Sequence, residues 1–116
     1  MKGRFATALA LVLLAAGCGG EDGGGAGTDP APGAVEAYDL GFRPAGVTVE
    51  PCTTVRWTNT GEQIHNVRQL PGSQERFFSK AIEPGRQYSR RFANAGTYPY
   101  FCSLHPTQMR GSVRVR

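Results

Sequence analysis

Between residues 33 and 116 the apolar positions come in short runs that alternate with polar ones, and no stretch sustains a helical spacing. Across residues 53–58, Val55 and Trp57 alternate with Thr54, Arg56 and Thr58, and across 112–116 Val113 and Val115 alternate with Ser112, Arg114 and Arg116. A period of two puts one set of side chains on a buried face and the other in solvent, so both segments predict half-buried β-strands with Arg56 and Arg114 outward. Turn signals stand between such segments at Pro44-Ala45-Gly46, Asn59-Thr60-Gly61, Pro71-Gly72, Pro84-Gly85 and Ala95-Gly96. Many short strands so punctuated predict an all-β sandwich or barrel, and no internal duplication competes with it. Two places resist the pattern. Pro99 lies inside the apolar run 96–102 and lacks the N–H that a ladder uses, which predicts an edge or a non-bonding position. Residues 69–82 show no clean alternation and read as a long connection with a short strand or helical turn.

The first 32 residues are of another kind. Lys2 and Arg4 precede an apolar run from Phe5 to Ala16 that is too short to span a bilayer comfortably, which predicts an export signal over residues 1–17. The run ends in Leu14-Ala15-Ala16-Gly17-Cys18, which resembles a bacterial lipoprotein cleavage site where Cys18 is lipidated and becomes the new N-terminus. The plainer reading is a secretory signal cut near Ala16 or beyond, with Cys18 a bystander. Residues 18–32 are Gly, Ala, Pro and acidic residues with almost nothing to bury, so they predict a flexible linker with a reach on the order of 20 Å. A lipid on Cys18 and this tether predict an exported domain held at the extracytoplasmic face of the cell membrane. Residues 33–116 then form one domain, small enough that its apolar burial is limited.

Chemistry concentrates near the C-terminus. Cys102-Ser103-Leu104-His105-Pro106-Thr107-Gln108-Met109 places a thiolate, an imidazole and a thioether on one loop. Two histidines and a cysteine in a plane, with a weak axial methionine, is the ligand set of a copper electron-transfer site. The chain has only two histidines, and the second, His65, stands at the end of a predicted strand in Gln63-Ile64-His65-Asn66-Val67. A Cys-x-x-His pair also occurs in zinc sites, but structural zinc takes four good ligands and methionine is a poor one. A nucleophile and base pair is the other reading. Nothing in the chain suggests an oxyanion hole or a substrate cleft, which argues against an enzyme.

At these residues the sequence resembles the cupredoxin family, the type 1 blue-copper proteins of plastocyanin-, amicyanin- and pseudoazurin-like kind. The resemblance runs from about Val35 to Arg116. It rests on Phe42-Arg43-Pro44 with Val47-Thr48-Val49, on residues 53–59, on His65-Asn66-Val67, on Gly96-Thr97-Tyr98-Pro99-Tyr100-Phe101-Cys102, and on Gly111-Ser112-Val113-Arg114-Val115. It implies a Greek-key sandwich, one copper ion, and metal ligands His65, Cys102, His105 and Met109. It also implies that Asn66 ties the His65 strand to the cysteine loop, its backbone N–H bonded to the Cys102 sulfur, and that His105 is exposed through an apolar patch to which Leu104, Pro106 and Pro71 are assigned. The loop departs from the family in having three residues between His105 and Met109, where amicyanin-like loops have two and plastocyanin-like loops four. The shorter register would put Gln108 at the axial position, and Gln is a known axial ligand. Cys52 is a second departure, in a turn where related proteins tend to have Gly. With Cys18 and Cys102 assigned as above, Cys52 has no partner within the chain and reads as a small, partly buried residue without chemistry, an intermolecular disulfide being the alternative.

The implied function is a carrier of single electrons between redox proteins. The alternatives are a copper-binding and delivery protein without a carrier role, and a metal-free interaction module. Charge bears on the partner. The whole chain has a formal charge of +4, and from Gly33 onward eleven Lys and Arg against six Asp and Glu leave +5. A basic face favours an acidic redox partner or anionic lipid, although the same arginines also serve solubility. No recognised basic motif or aromatic base platform accompanies the charge, so nucleic acid is not an expected partner.

Overall fold

The computed structural model describes residues 33–116; the predicted signal, linker and lipidation at Cys18 lie outside the described residues. Eight strands make two four-stranded sheets: β1 (Ala34–Tyr38), β2 (Gly41–Arg43), β3 (Gly46–Val49), β4 (Thr53–Asn59), β5 (Arg68–Gln69), β6 (Gln87–Phe92), β7 (Gly96–Phe101) and β8 (Arg110–Val115). One sheet runs β2-β1-β4-β6 and the other β3-β8-β7-β5. Within them β1 lies parallel to β4 and β3 parallel to β8, while the remaining neighbours are antiparallel. The described residues contain no α-helix, and no helix among them is long and apolar enough to cross a membrane. The architecture is all-β, two four-stranded sheets with their buried faces turned toward each other.

The alternation read in β4 and β8 is realised. Val55, Trp57 and Val113 are fully buried and Val115 nearly so, whereas Arg56 and Arg114 are exposed. The two inner faces meet around Trp57, whose ring lies 5.3 Å from Tyr100 and 6.3 Å from both Phe77 and Phe92, mostly edge-on or tilted. Such aromatic packing contributes beyond plain area burial.

Pro99 sits in β7, an interior strand, yet at a non-bonding position. Its carbonyl accepts the Leu70 N–H at 2.9 Å, so its nitrogen faces the same side, just past the end of the two-residue β5. No β7–β8 ladder bond is lost there. The stretch after β5 has no helical turn. It is pinned by buried Phe77 and Ile82 and by single bridges from Arg68 to Phe78 and His65 to Ile82.

Cys52 has φ of 71°, in the left-handed region where a residue without Cβ is at ease, which is the physical reason glycine suits that turn. Its N–H donates to the Phe92 carbonyl, and its sulfur is disulfide-bonded. The cysteine left over in the sequence scheme is therefore engaged.

Candidate metal centre

The site lies at one end of the sandwich, where β4 and β7 finish. Beyond Asn59 the chain turns through residues 60–64, clamped by the Asn59 side chain: its Nδ2 donates to the carbonyls of Gln63 (2.7 Å) and Ile82 (2.8 Å), and its Oδ1 accepts the Gly61 N–H at 2.9 Å. His65 follows and exchanges backbone hydrogen bonds with Ile82, which buries its ring completely. Cys102 comes directly after β7 and is also wholly buried.

The loop after Cys102 closes on itself. The His105 N–H donates to the Cys102 carbonyl at 3.1 Å, and the Cys102 N–H donates to the Met109 carbonyl at 3.0 Å. The His105 carbonyl accepts from both Gln108 (3.3 Å) and Met109 (3.0 Å), a tight turn that absorbs the three-residue spacing. In consequence the Met109 side chain points inward, fully buried, while Gln108 is exposed.

These elements bring His65, Cys102 and His105 together, with one donor atom of each within 4.8 Å of the others. The Cys102 sulfur is 3.7 Å from His105 Nδ1, and the two imidazole centroids are 5.2 Å apart. Asn66 bridges the two halves. Its backbone N–H points at the Cys102 sulfur (3.4 Å), its Nδ2 donates to Ser103 Oγ (2.8 Å), and its Oδ1 accepts the Ser103 N–H (2.8 Å).

Both imidazoles are held by their outer nitrogens. His65 Nε2 is 2.9 Å from Asp39 Oδ1, and His105 Nε2 is 2.9 Å from Gln63 Oε1. An amide oxygen only accepts, and so does an ionised carboxylate, so each Nε2 carries the proton and each Nδ1 offers a lone pair. His65 Nδ1 is buried without a hydrogen-bond partner among the described residues. A buried orphan ring nitrogen is costly unless something satisfies it, and a metal ion does. The Asp39 carboxyl is itself held below the usual carboxylate range, foremost by the Glu62 N–H and then by Gln63 and His65, against the opposing effect of burial.

Two partners of the site carry no local signal. Asp39 reads as a turn residue between β1 and β2, and it is 26 positions from His65; Gln63 is 42 positions from His105. The apolar rim also differs from the expected one. Leu104 is 52% exposed and Ile64, next to His65, 45%. Pro71 is carried away from the loop, since β5 runs antiparallel to β7 and Leu70 already lies opposite Pro99. It lines a separate depression with Arg68, Gln74 and Phe101.

A fold of two such sheets with this donor set is that of a small copper protein, and comparison agrees. The profile described as "Copper binding proteins, plastocyanin/azurin family" matches residues 33–116. Plastocyanin from Scenedesmus fuscus is 34% identical over 66% of this chain and 88% of its own length, and amicyanin-alpha from Methylorubrum extorquens is 32% identical over 70% and 69%. Among solved structures, the reduced Cu(I) form of an amicyanin variant superposes with a TM-score of 0.68 at 30% identity, over 78% of this chain and 87% of that one. The chain belongs to the plastocyanin/azurin family of copper-binding proteins, the cupredoxins. Copper is its cofactor, and the unsatisfied His65 Nδ1 beside the buried Cys102 sulfur fits that ion.

Proposed function

We propose that this chain carries single electrons as a type 1 blue-copper protein, in which His65, Cys102 and His105 would hold the copper and Met109 would serve as its weaker fourth ligand. The observation that carries the reading is the convergence of three donors within 4.8 Å around a buried nitrogen with no other partner. Bound copper supplies one-electron chemistry between Cu(II) and Cu(I). The chain's own residues do the rest. Asp39 and Gln63 keep protons on the outer nitrogens, Asn66 fixes the cysteine loop against the His65 strand, and burial of His65, Cys102 and Met109 excludes water. Met109 is chosen over Gln108 because its side chain is inside and that of Gln108 is not. Copper(II) added to the metal-free protein should produce an intense thiolate-to-copper absorption and a reversible one-electron wave. A colourless protein would overturn the assignment.

The partner side of this reading is an acidic redox protein. Arg68 and Arg76 flank a depression lined by Asn66, Ser103 and Phe78, and Phe78 is 69% exposed. Among the described residues no acidic side chain pairs with either arginine, whereas Arg43 and Arg90 have glutamate partners. Rates with an acidic partner should fall with salt and fall again in an Arg68→Gln/Arg76→Gln variant. Salt-independent rates would count against it.

Placement at the outer face of the membrane, through a lipid on Cys18, belongs to the same proposal and is supported by the sequence of residues 1–32. A thioether-lipidated cysteine cannot enter a disulfide. The chain has three cysteines, of which Cys102 is free and Cys52 disulfide-bonded, so lipidation requires Cys52 to pair with another molecule. Intact-mass analysis of the membrane-extracted protein under non-reducing conditions reads both features. A lipid-free monomer lacking any thiol besides Cys102 would overturn the anchor.

A further inference from the structure

We infer that Asp39 is a positioning residue that fixes the proton of His65 on Nε2 and lowers the reduction potential of the centre. The inference rests on the blue-copper reading for the potential, but not for the proton. The Asp39 carboxylate accepts three hydrogen bonds at once: from the Glu62 N–H at 2.8 Å, the Gln63 N–H at 3.1 Å and His65 Nε2 at 2.9 Å. It therefore joins the turn after β1 to the loop after β4 and to a buried imidazole in one contact. Gln63, the residue whose N–H it holds, in turn reaches His105 Nε2 with its side chain. One carboxylate thus organises the outer nitrogens of both histidines.

The approach is built into the fold. A Cβ on Gly61 would lie 2.6 Å from Asp39 Cγ and 2.8 Å from the Asp39 backbone nitrogen, so only a residue without a side chain lets the carboxylate in. The two imidazoles are also held unequally. His105 meets a neutral amide, and His65 meets a carboxylate that is held in place by two backbone N–H groups. An anion fixed behind a ligand imidazole raises the basicity of that ligand and favours the more positive metal state. The predicted direction is a preference for Cu(II), hence a lower potential.

The experiment separates charge from orientation. Asp39→Asn keeps an oxygen for the His65 Nε2–H and removes the charge; the ratio of Cu(II) to Cu(I) affinity should fall about tenfold, which is a rise of about 59 mV for a one-electron couple. Glu62→Gln, an exposed charge one residue from Gln63, removes equal charge without touching His65 and should move the potential less. In the copper-free protein, ¹⁵N spectra of His65 should show the Nε2–H tautomer in the native chain and in Asp39→Asn, and a tautomer mixture in Asp39→Ala. Gly61→Ala, which displaces the carboxylate without altering any charge or ligand, should reproduce both changes, and it serves if Asp39→Asn does not fold. An unchanged potential in Asp39→Asn, or a shift equal to that of Glu62→Gln, overturns the electrostatic role. An unchanged His65 tautomer in Asp39→Ala overturns the positioning role. Absence of a blue site in the native protein would sink the carrier reading while leaving the copper-free spectra to decide Asp39.

Discussion

At residue scale the instructive pair is Gln108 and Met109, adjacent in sequence and opposite in environment. The turn that gathers both of their N–H groups onto the His105 carbonyl sends one side chain into the core and leaves the other in water. Met109→Ala should therefore change the visible spectrum and the potential, and Gln108→Ala should leave both as they are; the reverse result would move the axial role to Gln108. Asn66→Ala removes two side-chain hydrogen bonds to Ser103, each worth about 1 kcal/mol. The cysteine loop should loosen, and copper should be lost faster to a chelator or the potential should shift. Of the three donors that converge, Cys102 and His105 were legible in the sequence because they share one short loop, and His65 because it is the only other histidine. Asp39 and Gln63 were not, since their contacts are made across turns by residue types that turns use anyway.

Among the elements, strands with a clean period of two, such as β4 and β8, could be read from the chain because one face is buried and one is wet. The stretch after β5 could not. There the side chains alternate without a period, Phe77 inward and Phe78 outward, and the backbone is held by scattered bonds. The Gln69 N–H donates to the Phe77 carbonyl at 2.9 Å, the Ser79 N–H to the Val67 carbonyl at 2.7 Å, and the Val67 N–H to Ser79 Oγ at 2.8 Å. No local propensity encodes such pairings. The energetic contrast is testable on neighbouring residues. Phe77 packs against Trp57, Phe92, Tyr98 and Tyr100, so Phe77→Ala should cost roughly 3–5 kcal/mol and lower the urea midpoint. Phe78→Ala, on an exposed side chain, should stay within about 0.5 kcal/mol.

For the molecule as a whole, burial makes alkaline pH the weak side. Desolvation pushes the Tyr100 hydroxyl up to about 12, and it raises Tyr88 and Tyr98 as well. A phenol harder to ionise in the folded state than in the unfolded one contributes stability that is intact below the unfolded pKa of about 10 and disappears as pH climbs through the folded value. Tyr100 alone should account for roughly 3 kcal/mol lost between about pH 10 and 12, with Tyr100→Phe removing that part of the slope in denaturant titrations. The parallel pairing of β1 with β4 has a geometric consequence. Ala34 lies beside Arg56 and Ala37 beside Asn59, so β1 runs toward the donor cluster and Asp39 follows its last residue, while Gly33 lies at the far end of the sandwich, roughly 20 Å back along the strand. Whatever precedes Gly33 joins the domain at the pole opposite the copper ligands. Under the proposed anchor at Cys18, the copper-binding pole would face away from the membrane, open to a diffusing protein in any rotation about the tether.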